Sequence, residues 1–162
     1  INKQFKDIVS TWVSYTCNKN EYIFEDLNNG KPFPNNTDIR HALTFAGTYT
    51  YKKIKLALSF NWHSGIPNTE PAFNDNPNDA IITYATPNST NISDYLRADC
   101  SLTYAFNITD NINATVGTSV WNLFNKKNII NTYYVLNDLN EVNTIENESL
   151  GITPNLSFRV FL

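Results

Sequence analysis

Few side chains in this 162-residue sequence are equipped for chemistry, and they are dispersed. The two histidines, His41 and His63, invite a metal or acid–base reading because they fall on what read as neighbouring strands. With Lys52-Lys53 as a two-residue turn, His63 lies opposite Ala42 on one face and His41 opposite Ser64 on the other. The imidazoles diverge, whereas metal ligands must converge. Cys17 and Cys100, the only cysteines, have no ligand spacing and no companion cluster. No Ser-His-Asp constellation follows from that register, and no Gly-rich phosphate loop is present. The expectation is a protein that is not an enzyme, with no metal site and no cofactor. What remains suits binding. Arg40, Asn61, His63, Arg97, Asp99 and Trp121, with Lys55 and Arg159, share one polar face and are the substrate-binding candidates. The plainer reading of each is a polar residue solvating or packing the inside of a barrel.

A period of two along the chain positions these residues. Ile54, Leu56, Leu58, Phe60 and Trp62 alternate with Lys55, Ala57, Ser59, Asn61 and His63, which gives one apolar and one polar face. Leu43, Phe45, Gly47, Tyr49 and Tyr51 do the same upstream. Across Lys52-Lys53, Tyr51 should oppose Ile54, Phe45 should oppose Phe60 and Leu43 should oppose Trp62, which keeps every apolar residue on one side. Leu96, Ala98, Cys100, Leu102, Tyr104 and Phe106 form a third such face. A turn from Asn107 to Asn111 pairs Tyr104 with Ala114 and Leu102 with Val116. About six long strands are expected, at 5–22, 38–51, 54–65, 94–107, 112–136 and 141–162.

Strands of this length exceed the five or six residues typical of soluble sheets and match the roughly 9–11 residues that a tilted strand needs to cross a bilayer. The links alternate too. Those at Lys52-Lys53 and Asn107 to Asn111 are short, whereas 23–37 and 66–93 are long and rich in Asn, Pro and Asp, as periplasmic turns and extracellular loops are in outer-membrane barrels. The tight tip at Asn137 to Asn140 should crown a hairpin projecting above the membrane. Aromatics gather near the ends of the apolar faces, with Tyr49, Tyr51, Tyr104, Phe106 and Phe158 at one level and Trp62 at the other. A soluble β-sandwich with one buried face would share the alternation, at the cost of unusually long strands.

Composition excludes other classes. A net charge of −3 with scattered Lys and Arg offers no stripe for nucleic acid. No run approaches the 18 apolar residues of a membrane helix, and no signal peptide precedes the strand-like Ile1 to Phe5. Asn-X-Thr triplets such as Asn35-Asn36-Thr37 arise readily in so Asn-rich a chain and do not indicate glycosylation. Six strands cannot close a membrane barrel, so partner strands are expected, in the same polypeptide or another.

Several local patterns, in this order, resemble the carboxy-terminal part of TonB-dependent outer-membrane receptors, particularly the Bacteroidetes-like ones. Asp38-Ile39-Arg40-His41-Ala42-Leu43 opens a strand in their manner, and Ser64-Gly65-Ile66-Pro67 resembles the small-Gly-x-Pro that follows the next. Tyr95-Leu96-Arg97-Ala98-Asp99-Cys100-Ser101 is similar to their Tyr-x-Arg-x-Asp-x-Ser strand, and Val120 to Asn128 to their Asn-Leu-Phe-Asn-Lys-Lys segment. Ser149-Leu150-Gly151-Ile152-Thr153-Pro154-Asn155 precedes a closing strand of the usual kind. The resemblance spans almost the whole chain. It implies an all-β transmembrane antiparallel barrel of about 22 strands, residues 1–162 supplying the carboxy-terminal segment and an absent plug domain the gate. It further implies active import of a nutrient across the outer membrane, with the TonB complex acting through the plug, and possible pairing with a surface lipoprotein. The cargo class stays open among metal chelates, vitamins, glycans and peptides. A non-transporting scaffold for adhesion or secretion is one alternative, separable by a plug; a soluble carbohydrate-binding β-sandwich is the second, separable by whether the protein needs detergent. The carboxy terminus departs from the family's usual Phe, ending in Leu162 with Phe161 on the opposite face.

Overall fold

The computed structural model describes residues 1–6, 8–72 and 81–162. In chain order the strands are β1 (Asn2–Phe5), β2 (Val9–Cys17), β3 (Glu21–Tyr22), β4 (Phe33–Pro34), β5 (His41–Tyr51), β6 (Ile54–His63) and β7 (Pro67–Asn68). They continue with β8 (Thr90–Asn91), β9 (Tyr95–Asn107), β10 (Asn113–Trp121), β11 (Ile129–Leu136), β12 (Val142–Glu148) and β13 (Thr153–Phe161). The architecture is all-β, with a single 3-10 turn at Asn28–Gly30 as the only helical element among the described residues.

One seven-stranded antiparallel sheet dominates, in the order β1-β2-β5-β6-β9-β10-β13. Each strand pairs with the next one in the wall along the chain, an up-and-down meander. The outer strands β1 and β13 each have one neighbour, and the described residues form an open sheet, not a closed barrel. The connections at 6–8, 52–53 and 108–112 are short and share one end; those at 18–40, 64–94 and 122–152 are long and share the other. Three two-stranded ladders, β3/β4, β7/β8 and β11/β12, lie in the long connections.

The β5/β6 register is the one expected: Tyr51 faces Ile54, Phe45 faces Phe60 and Leu43 faces Trp62. Lys52 takes the left-handed conformation, φ 54°, that closes so short a turn. The β9/β10 register differs from expectation by two residues. Phe106 faces Ala114 and Tyr104 faces Val116, because both Ile108 and Thr109 donate to the carbonyl of Ile112 and close the turn later. The parity is unchanged, so each residue keeps its face.

The two faces differ sharply. On one, Phe45, Leu58, Leu102, Tyr104, Leu156 and Phe158 stand in rows across the sheet and are all exposed, Leu156 by 81%. On the other, Thr44, Ala46, Ala57, Ser59, Asn61, Arg97, Asp99, Ser101, Ser119 and Trp121 make a polar, small-residue surface. Phe33, Ala98 and Ala114 are the buried hydrophobic residues among those described, so no core closes over the apolar face.

Three of the expected long strands are broken. Instead of a strand over 112–136, β10 ends at Trp121, and Asn122 and Asn125 turn the chain with φ 56° and 50° before β11 begins. The expected 141–162 strand breaks likewise between Glu148 and Thr153. The expected 5–22 strand is interrupted at Lys6, φ 47°, and ends at Cys17, while Asp38 to Arg40 precede β5 and Ser64-Gly65 follow β6. Asparagines cause the largest break: Asn122 donates to the carbonyls of Lys126 and Leu150, and Asn128 bonds both the N–H and the C=O of Leu96. Side chains thereby replace ladder partners and let β11/β12 leave the sheet as a separate hairpin.

Candidate functional site

The polar face near the long-loop end carries a column of side chains two residues apart on each strand. On β9 it runs Asp99, Arg97, Tyr95; on β6 their register partners are Ser59, Asn61 and His63. Successive rungs are about 7 Å apart, the two-residue rise of a strand, so the six groups form one patch.

At its base Arg97 Nε donates to Asp99 Oδ1 at 2.7 Å, and the same oxygen accepts the backbone N–H of Asn122 at 2.9 Å. The Arg97 guanidinium lies 5.2 Å from the centroid of Trp121, a cation–π arrangement that steadies its plane. Above it, His63 stacks on Tyr95 with ring planes 4° apart and centroids separated by 4.9 Å. His63 Nδ1 is 2.8 Å from the carbonyl of Ser64, which can only accept, so Nδ1 carries a proton and Nε2 is the ring nitrogen left to face a ligand. Beside the column Ala46, Thr48, Ala57, Ser59, Ser101 and Ser119 leave a shallow trough, with Trp121 at its margin. The assembly offers a guanidinium, an imidazole, an amide and two aromatic faces. Such groups can hold a ligand by charge, hydrogen bonding and stacking.

Five of the six candidates therefore lie together: Asn61, His63, Arg97, Asp99 and Trp121. Arg40 stands apart. It precedes β5 and is committed at 2.7 Å to Asp38, whose side chain is 2% exposed and also accepts the N–H of Asn20. That pair anchors the base of the 18–40 connection. Lys55 and Arg159 sit on the polar face nearer the short-turn end. His41 lies on the apolar face, its Nδ1 2.8 Å from the Tyr15 hydroxyl, so the histidines diverge as their register required. Among the described residues no group of three His, Cys, Asp or Glu could hold a metal ion.

Sequence reasoning did not single out the residues that set the rim. Asp94 accepts from Trp62 Nε1 and from the Gly65 N–H, while Lys126 Nζ donates to its carbonyl. Asn122 and Asn128, 2% and 1% exposed, tie the ends of β9, β10 and β13 together. The signal was the three-residue spacing of Asn122, Asn125 and Asn128, a residue type that tolerates left-handed backbone and bonds it. Above the rim the three long connections meet. Asn88 Nδ2 donates to Pro34 O and Asn36 Oδ1, Asn68 Nδ2 donates to the Tyr134 hydroxyl, and Tyr84 meets Tyr134 edge-on at 6.2 Å. From its sequence the 66–93 loop is expected to fold over the mouth with Tyr84 and Phe73 as its anchors; Tyr84 meets Tyr134, and Phe73 lies outside the described residues. No protein-family model, curated protein or solved structure matches the chain.

Proposed function

We propose that this chain forms part of the wall and outer loops of an outer-membrane β-barrel that imports a nutrient in the manner of TonB-dependent receptors, its apolar face toward lipid and its polar face toward the lumen. The observation that carries this is the two-faced sheet: rows of exposed apolar side chains on one side, a small polar surface on the other, and short turns segregated from long loops. A soluble sandwich would cover Leu58, Leu102, Leu156 and Phe158 with a second sheet; here they are exposed. The open edges of β1 and β13 would pair with further barrel strands, since unpaired backbone in lipid costs several kcal/mol per group. The order and spacing of the receptor-like motifs support import over adhesion or secretion. The Arg97, Asn61, His63 and Trp121 patch would then face cargo or a plug, and a surface lipoprotein would meet the joined loops.

The test uses cells carrying the complete receptor. Arg97→Ala with Trp121→Ala should insert into the outer membrane at normal abundance yet take up less cargo, read with a radiolabelled panel of peptides, glycans, vitamins and metal chelates. Removing TonB should abolish accumulation while leaving surface binding. Uptake indifferent to TonB would contradict the proposal.

A further inference from the structure

Among the described residues the hairpin β11/β12 pairs with no other strand, so the outer edge of β11 is unpaired there. Its orientation follows from the ladder. Asn137 N donates to Glu141 O at 2.9 Å, and bonded pairs alternate in an antiparallel ladder, so Tyr133 and Val135 bond across to β12. The N–H and C=O of Thr132 and Tyr134 then point away from β12, toward the free edge. A cleft of about 410 Å³ runs along that edge, lined by Asn36, Asn68, Asn88 and Asn131, with Tyr84 and Tyr133. It contains no ionisable carboxylate or amine.

A second cleft, about 440 Å³, shares Asn68, Thr132 and Tyr134 with the first and opens over the hairpin face. Thr132 is the register partner of Glu146, and Tyr134 of Thr144, so these four side chains occupy one face. Glu70 and Glu146 line this cleft, both exposed, and neither joins an ion pair among the described residues. The two clefts adjoin where Asn68 Nδ2 reaches the Tyr134 hydroxyl at 2.7 Å.

We infer that this furrow captures an extended peptide that adds as a strand to the free edge of β11 and places a Lys or Arg side chain between Glu70 and Glu146. Strand addition uses the outward backbone groups of Thr132 and Tyr134, while Asn36 Nδ2 and Asn68 Oδ1, the amide atoms left over from the bonds that join the loops, meet part of the peptide's other edge. Side chains of an added strand alternate, so those on the Tyr134 face look into the carboxylate cleft. A neutral oligosaccharide would use the amides and tyrosines but would leave two carboxylates without a cation. The inference rests on the importer proposal for the placement of these loops outside the cell, and it names the cargo class.

Binding is measured on outer-membrane vesicles carrying the complete receptor. The probe is a fluorescent, end-capped hexapeptide of alternating Thr and Val with Lys at its fourth position. It should bind about tenfold tighter than its norleucine counterpart, the sum of two partly exposed ion pairs. Glu70→Gln with Glu146→Gln should erase that preference, and N-methylation of the alternate set of peptide amides that pairs with β11 should abolish binding, while methylation of the other set, which meets only side-chain amides, should weaken it less. Equal binding of the lysine and norleucine peptides, indifference to both N-methyl sets, displacement by maltohexaose, or no peptide binding would each overturn the inference. Retained binding without energised uptake would count against import alone.

Discussion

Asp99 holds two groups with one oxygen, the Arg97 guanidinium and the Asn122 backbone N–H, and so links the polar face to the turn that ends β10. Asp99→Ala should leave that N–H without its acceptor and free Arg97 from its plane. A loss of about 1–3 kcal/mol is expected, read from the denaturant midpoint of the purified protein, with Asp99→Asn recovering part of it. Gly65 is fixed by space. A Cβ there would stand 1.7 Å from the carbonyl oxygen of Ile92, so even alanine must displace the 64–94 connection. Gly65→Ala should raise proteolytic cleavage within 64–94 severalfold without changing membrane insertion; unchanged cleavage would show that the connection shifts at no cost.

Between neighbouring strands the dominant quantity is which face a side chain takes. Leu58 and Ser59 are adjacent on β6 and lie on opposite faces, opposite Gly47 and Ala46 on β5. Leu58→Arg should cost about 2–4 kcal/mol near the midplane while Ser59→Arg is tolerated, as folding titrations in bilayers would read; equal costs would contradict the orientation. Much of this was legible beforehand. The β5/β6 register followed from one short turn and strict alternation, and the grouping of Asn61, His63, Arg97, Asp99 and Trp121 followed from parity. The β10/β11 break was not, because apolar residues resume at Ile129 and the chain is turned by bonds from Asn122 to Leu150 and from Asn128 to Leu96, far apart in sequence. Arg40 lies one residue before β5, its carbonyl still accepting from the Asn18 N–H, and its pairing with Asp38 was not legible from parity. Deleting 69–90 should leave the wall assembled, since its ladders lie outside that segment. It removes Asn88 from Pro34 and Asn36, so cleavage within 18–40 should rise and cargo uptake should fall.

For the whole molecule the open sheet and its exposed apolar rows impose one demand: both faces must meet the solvent each was composed for. The 162 residues expressed alone should fail to refold as a closed, heat-modifiable barrel, because β1 and β13 each keep an unpaired edge. The most direct measurement places nitroxide labels one at a time at Leu56, Ala57, Leu58, Ser59, Phe60 and Asn61 of the whole protein reconstituted in bilayers, in a background with Cys17→Ser and Cys100→Ala. Collision with oxygen, which concentrates in lipid, should peak at Leu56, Leu58 and Phe60. Collision with a water-soluble nickel chelate should peak at Ala57, Ser59 and Asn61. A flat profile, or one with the two phases reversed, would contradict a wall with lipid on its apolar side.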